Sequence, residues 1–266
     1  MDVAGSGKDM RDLNYYSRLL ATGFSFFIFG VGGLIIGLVL FPIVNLVYRR
    51  KERRTVVGQY LIHRMFRFFI DMMRFLGIME YHINGVEKLQ NAGATMVVAN
   101  HPTLIDVVIL IAFMPKVDCV VKGALTKNPV MIGPVKAANY IVNTDPEKLI
   151  DDCSDTLSRG NSLIIFPEGT RTQPGKPFKF QRGAAAIALR SAVDITPVVI
   201  RCVPSTLTKS EKWYQIPPRK FVVTLDVREP IKVAEVVSPD LPNSVAARHL
   251  TKFLQNYFTT EYALHG

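Results

Sequence analysis

Cysteine is scarce in this chain. Its 266 residues hold three, Cys119, Cys153 and Cys202, odd in number and widely spaced. That excludes a disulfide framework, offers no metal-ligand spacing, and fits a reducing compartment. Histidine is scarce too: His63, His82, His249 and His265 have no ligand-like neighbours in sequence, so no metal is expected. No Gly-x-Ser-x-Gly elbow occurs, so nothing in the sequence points to a covalent acyl-serine intermediate. Internal repeats and low-complexity tracts are absent. Acidic residues are outnumbered, 22 against 32 Lys and Arg, leaving a net charge of +10. Basicity of this kind raises the question of nucleic acid, but outside Arg49-Arg50-Lys51-Glu52-Arg53-Arg54 the positive charges are dispersed. With 48% hydrophobic residues the composition is that of a membrane-associated protein, and no nucleic-acid partner is expected.

The longest absence is of charge itself. Residues 19 to 48, between Arg18 and Arg49, contain no charged residue. Those 30 residues exceed the roughly 20 that cross a bilayer as a helix. The stretch is too long for a signal-peptide core and leads into a basic run rather than a cleavage site, so it is expected to stay on the mature protein as a membrane segment. The basic run favours the cytoplasmic face for everything that follows, although Lys8, Arg11 and Arg18 on the other flank reduce the asymmetry. Gly30, Gly32, Gly33 and Gly37 permit either close helix packing or a shallow hairpin, and Pro42 a kink. Gly33-Leu34-Ile35-Ile36-Gly37 also fits the GxxxG pattern of helix dimers. From Tyr60 to Ile78 an apolar stretch carries Arg64, Arg67 and Arg74. It reads as an amphipathic helix in the membrane interface, or alternatively as a helix packed on the following domain.

Two polar motifs stand at the ends of strand-like apolar runs. Asn100-His101-Pro102-Thr103-Leu104-Ile105-Asp106 follows Met96 to Ala99 and precedes the apolar, helix-like Val107 to Phe113. Phe166-Pro167-Glu168-Gly169-Thr170-Arg171 follows Leu163 to Ile165 and breaks into a Pro/Gly loop at a strand's carboxyl end. In the first motif Thr103 is placed to cap the helix with Asp106 completing a capping box. Alternatively Asp106 serves His101: a carboxylate on one ring nitrogen fixes the tautomer and leaves the other nitrogen to take a proton from a hydroxyl. Glu168 has a plain alternative of its own, bonding backbone amides or a neighbouring arginine within its loop.

His-x4-Asp alone is weak. Together, in this order and about sixty residues apart, the two motifs resemble the lysophospholipid acyltransferase family, which includes the 1-acylglycerol-3-phosphate acyltransferases, over about Gly85 to Pro230. Lys122, Pro129, Gly133 and Ala137 to Val142 are similar to the family's second block, and Ile195 to Val199, centred on Pro197, to its fourth. The resemblance implies His101 as the base that deprotonates a glycerol hydroxyl and Asp106 as its orienting partner. It implies acceptor binding by Lys122, Glu168, Gly169, Thr170, Arg171 and Pro197, with Arg171 suited to bidentate contact with phosphate oxygens. No cofactor is implied beyond an acyl thioester, on coenzyme A or acyl carrier protein, and the partner is membrane lipid. Two positions depart from the family: Thr103 replaces a serine, and Asn143-Thr144 stands where many members carry an acid followed by a phosphate-binding arginine. Lys122, Lys127, Lys136 or Arg171 is then left to substitute, or the acceptor is a lyso-lipid without phosphate. The remaining alternative is a non-catalytic, membrane-tethered lipid-binding protein.

The hydropathy pattern predicts strands at 96–99, 118–121, 140–142, 162–166, 197–203 and 221–227 and helices at 104–114, 146–159, 181–193 and 244–260. This is one α/β domain, a central mixed sheet flanked by helices as in glycerolipid acyltransferases, preceded by an N-terminal membrane-associated helical segment. The expected division is 1–83 for membrane attachment and 84–266 for catalysis. The basic loop 175–183 is read either as a solvated loop or as a phosphate site at the amino end of the following helix. Segment 204–220, with Trp213 and Tyr214, is expected to be an exposed excursion touching membrane.

Overall fold

A computed structural model describes residues 4–90 and 93–264. The elements run α1 (Ala4–Ile35), a π-helical stretch Ile36–Leu40, α2 (Phe41–Val47), α3 (Lys51–Phe75), β1 (Met79–Asn84), α4 (Glu87–Gln90), β2 (Met96–Ala99), α5 (Asp106–Phe113) and β3 (Val117–Lys122). After a 3₁₀ turn at Gly123–Lys127 come α6 (Pro129–Ala137), β4 (Ile141–Asn143), α7 (Pro146–Ser158), β5 (Ser162–Ile165), α8 (Gly183–Ser191), β6 (Ile195–Val203), β7 (Phe221–Val227), α9 (Val233–Val236) and α10 (Asn243–Leu264).

The seven strands form one sheet in the order β1-β7-β6-β2-β5-β3-β4. Every neighbouring pair is parallel except β6 with β7, so the sheet is mixed. β2 is central, and its four residues are 0% exposed. That explains why Met-Val-Val-Ala reads as an unbroken apolar run: a parallel strand covered on both faces has no side for polar residues. Val97 and Ala99 join the core beneath α3 and α5, while Met96 and Val98 join the core beneath α7, α8 and α10. Ile109, Leu110 and Ile111 of α5 are almost fully buried, and truncating any one to alanine costs about 2–5 kcal/mol.

All the predicted strands and helices are present, with ends moved by a few residues. The elements not predicted are β1, α6 and the single turns α4 and α9. β1 pairs in parallel with β7 from Met79↔Phe221 to Asn84↔Asp226. The expected division at 83/84 therefore cuts across a strand of the sheet. α6 begins with Pro129 and has Pro134 inside it; Asn128 caps it by accepting from the Val130 N–H at 2.9 Å, and proline at the first helical position costs no hydrogen bond.

The apolar N-terminus is one continuous helical rod, not a hairpin within 19–48. Its residues Leu13–Val47 are long and apolar enough to cross a membrane. The chain turns only at Tyr48, where the backbone is extended, and then returns as α3. One side of the rod is fastened to the domain through Arg18, Thr22, Ser25 and Ile36, all buried, while Leu20, Phe27, Leu38 and Leu46 stand outward. The GxxxG glycines serve this fastening. A side chain at Gly33 would strike the Val130 carbonyl, and one at Gly133 would strike the Gly37 backbone. Gly33 and Gly37 thus pack on α6 of the same chain. α3 is fastened likewise, with Ile62, Phe66, Phe69, Ile70 and Met73 buried and Phe29 of α1 stacked on Phe66 at 5.9 Å. Its outer face shows Tyr60, Phe68 and Phe75 beside its arginines, so packing on the domain and an exposed amphipathic face coexist on one helix.

Candidate active site

The carboxyl ends of β2, β5, β3, β4 and β6 lie along one edge of the sheet, because these strands run in parallel. Both motifs leave the sheet there. Asn100, fully buried, extends the β2–β6 ladder by one side-chain step: its Nδ2 donates to the Ile200 carbonyl at 2.8 Å and its Oδ1 accepts from the Ile200 N–H at 2.7 Å. This locks the backbone immediately before His101.

Asp106 is the first residue of α5 and is fully buried. Its Oδ2 lies 2.8 Å from His101 Nδ1 and accepts from the Thr103 N–H at 2.7 Å; its Oδ1 accepts from the Thr103 hydroxyl at 2.6 Å. The expected helix cap is corrected here. Ile105, not Thr103, occupies the N-cap, with no side-chain cap bond. The Thr103 hydroxyl donates to Asp106 and accepts from the Ile105 N–H at 3.3 Å, ahead of the helix rather than within its first turn, and half of the capping-box geometry, acid to upstream N–H, survives. The two sequence readings of Asp106 are therefore compatible: one oxygen holds the turn and the histidine together. With Nδ1 donating to Asp106, Nε2 keeps its lone pair, and among the described residues it has no hydrogen-bond partner. The imidazole lies flat against Phe166, ring centroids 4.3 Å apart.

The second motif is stitched to the first. Glu168 Oε1 accepts from the His101 N–H at 3.1 Å and from the Thr172 hydroxyl at 2.5 Å, and the Thr172 N–H donates to the His101 carbonyl at 2.7 Å. Burial pushes the Glu168 carboxyl above its ordinary range, against the pull of the Thr172 hydroxyl and the His101 amide. Gly169 turns the loop at φ +64°, in the left-handed region that favours glycine. Arg171 uses its Nη1 to donate to the carbonyls of Leu207 and Thr208 at 2.9 and 2.8 Å. The Leu207 carbonyl also accepts from the Leu104 N–H at 3.1 Å. The excursion 204–220 is thereby tied to both motifs and, at its far end, to α1: Arg18 donates to the carbonyls of Pro217 and Pro218 at 2.9 and 2.7 Å. Trp213 packs near Phe26, centroids 6.1 Å apart, while remaining nearly half exposed.

His101, Asp106, Glu168, Gly169, Thr170 and Arg171 thus come together. Lys122 ends β3 on the same edge, exposed and two strands from β2. Pro197 is not brought to the loops: it is buried inside β6 at the register of Val98, its carbonyl accepting from the Arg228 N–H. Asn100, Phe166 and Thr172 were not singled out by sequence reasoning. A polar residue closing a fully apolar run was a usable signal for Asn100; Thr172 lay one position beyond the motif. Burial raises the thiols of Cys119, Cys153 and Cys202 to about 12, so none is an activated nucleophile. Among the described residues no cluster of His, Cys, Asp or Glu has metal-site geometry; His265 lies outside them.

Residues 80–201 match the family model described as Acyltransferase, spanning both motifs and the strands between them. Over that stretch the chain is similar to the acyltransferases. It is similar to the 1-acyl-sn-glycerol-3-phosphate acyltransferase beta of Homo sapiens, 25% identical over 208 residues that make up 76% of this chain and 70% of that one. The 1-acyl-sn-glycerol-3-phosphate acyltransferase of Helicobacter pylori is 27% identical over 179 residues, 65% of this chain and 71% of that protein. In fold, the chain is similar to the crystal structure of the 1-acyl-sn-glycerophosphate (LPA) acyltransferase PlsC from Thermotoga maritima. The TM-score is 0.65 at 20% identity, covering 92% of this chain and 98% of that one.

Proposed function

We propose that the chain transfers a fatty acyl group from a thioester, acyl-coenzyme A or acyl-acyl carrier protein, to the free hydroxyl of a 1-acylglycerol-3-phosphate-like lysophospholipid, with His101 as general base. The observation that carries this reading is the 2.8 Å contact between His101 Nδ1 and the buried Asp106 carboxylate. It leaves Nε2 as proton acceptor on the edge where Glu168, Gly169, Thr170 and Arg171 gather. Nε2 takes the hydroxyl proton as the oxygen attacks the thioester carbonyl. The carbon–sulfur bond then breaks, and the imidazolium returns the proton to the departing thiolate. Asp106 touches no substrate atom; it holds the tautomer and stabilises the imidazolium. The names of the relatives support the acceptor class. Lys122, Arg171 and the 168–170 turn are the residues we assign to the acceptor side, and Pro197 contributes only through the position of β6.

The segment before β1 attaches the enzyme to the membrane, with the catalytic part, from β1 at Met79 onward, on the cytoplasmic face, as the basic run after the apolar rod favours. A second acceptor reading rests on one observation. Asn143 and Thr144, at the end of β4, supply no arginine, and Arg171 spends Nη1 on the carbonyls of Leu207 and Thr208. Both suit an acceptor without phosphate, such as an amino-acid-containing lyso-lipid. The full chain in detergent, given each labelled thioester with phosphate-bearing and phosphate-free lyso-lipids, distinguishes the acceptors. Acylation of the phosphate-free acceptor alone would replace the first reading with the second, and no acyl product with any pair would remove both.

A further inference from the structure

At the opposite, amino edge of the sheet a cavity of about 910 Å³ opens between the outer face of α3 and the turn from α5 into β3. It is distinct from the site around His101. Ser162, at the start of β5, lines it, whereas Phe166, just past the end of β5, stacks on His101. Four residues of extended chain separate the two by about 13 Å.

The polar lining is cationic. Arg67 is neutralised by Asp71 at 3.0 Å and lies over the Phe113 ring at 4.4 Å. Arg64 and Lys116 both line the cavity, both are exposed, and neither has a hydrogen bond or ion pair among the described residues. Two exposed cations at the mouth of one cavity, which among the described residues have no salt-bridge partner and only the Asp118 carboxylate acting on Lys116 from a distance, attract an anion. A second feature selects the kind of anion. Phe68, 61% exposed, lines this cavity and also an apolar one of about 250 Å³ between α1, α3 and α6, walled by Phe29, Ile35 and Met65 among others. A cationic recess and an apolar recess sharing one phenyl wall, on the side where α1 and α3 show their outward apolar residues, match an amphiphile with a charged head and a hydrocarbon tail. A free anion would use only the first recess.

We propose that the amino-edge cavity binds the phosphate of an anionic phospholipid through Arg64 and Lys116, with its acyl chain crossing Phe68 into the apolar recess between α1 and α3. This is an accessory lipid, separate from the substrates. The test titrates the full chain, in uncharged detergent, with dihexanoyl-phosphatidylglycerol, dihexanoyl-phosphatidylcholine and inorganic phosphate, reading affinity by calorimetry. Phosphatidylglycerol should bind at least tenfold more tightly than either comparator. The double variant Arg64→Glu with Lys116→Glu should lose tenfold or more of that affinity. Phe68→Ala should weaken the lipid without changing the binding of phosphate. Arg53→Glu, the same charge reversal at an exposed position on α3 outside the cavity, should change affinity less than twofold. Equal affinity in the double variant and the native chain overturns the proposal. So does an equal loss in Arg53→Glu, which would indicate general attraction to the basic surface, and so does phosphate binding as tightly as the lipid.

Discussion

Two aspartates are buried at opposite ends of the sheet, and they are held in opposite ways. Asp106, at the carboxyl edge, receives the imidazole, a backbone N–H and a hydroxyl within 2.8 Å. Asp118, near the amino end of β3, receives the Gln59 amide at 2.8 Å, and burial pushes its carboxyl up to about 6 against the pull of Thr156 and Gln59. The difference teaches what burial of a charge requires. Donors aimed at the carboxylate offset its loss of water, and three of them converge where the histidine must be oriented. At the amino edge the acid is a strut between α3 and β3, and there a proton can do what donors do elsewhere.

The largest expected effect separates the two roles outright. His101→Ala and Asp106→Asn should each lower kcat by about 10²–10⁴-fold, the range of a lost or misoriented general base, while Asp118→Asn leaves kcat within about threefold. Acyl transfer measured on all three in detergent makes the comparison, and loss of turnover in the Asp118 variant would break it. Thr103→Val removes one donor from the buried carboxylate of Asp106. It should lower thermal stability by about 1.5–3 kcal/mol and reduce kcat as well, because the same side chain holds the histidine.

The pH dependence of stability should bear the mark of Asp118. Its folded-state proton affinity is raised, so between about pH 4 and pH 6 the native chain keeps a proton that the unfolded chain has released. Stability then falls as pH rises through that window and levels off above it, by about 3 kcal/mol in all. Melting curves across the window should show that fall, and Asp118→Asn should flatten it. The smallest effect concerns Glu168. Glu168→Gln retains an oxygen for the Thr172 hydroxyl and the His101 N–H, whereas Glu168→Ala leaves the Thr172 hydroxyl without its acceptor and the His101 N–H with only the Thr172 oxygen at 3.0 Å, and should cost about 1–3 kcal/mol. Equal melting temperatures for the two variants would show that the stitch between the motifs carries no weight.

The parts of this architecture legible in the sequence are those fixed by local pattern. β2, β5 and β6 announce themselves because strands buried on both faces are mostly apolar, and the rod from 19 to 48 because nothing in it is charged. β1 did not: Met79-Glu80-Tyr81-His82-Ile83-Asn84 mixes buried and exposed positions, and its partner is more than 130 residues away in β7. α6 was hidden by Pro129 and Pro134, which read as breaks until the cap at Asn128 and the packing against Gly33 and Gly37 are seen. The candidate pair His101 and Asp106 was readable from spacing. The support for it was not, since Asn100 finds its partner at Ile200 and Arg171 finds its own at Leu207, contacts that only the folded sheet brings about. Gly33 and Gly37 show the opposite hazard: a short motif that fits association between chains is satisfied within one.

The excursion 204–220 grips Arg171 and Leu104 at one end and Arg18 at the other, and Gly133 meets Gly37 backbone to backbone farther along the same rod. A helix clamped at two points along its length cannot slide in its socket. On the proposed membrane attachment, the depth to which lipid swallowed the rod would dictate the height of His101 above the headgroups, and the proposed catalytic edge would ride the bilayer like a plane iron set at a fixed projection from its sole.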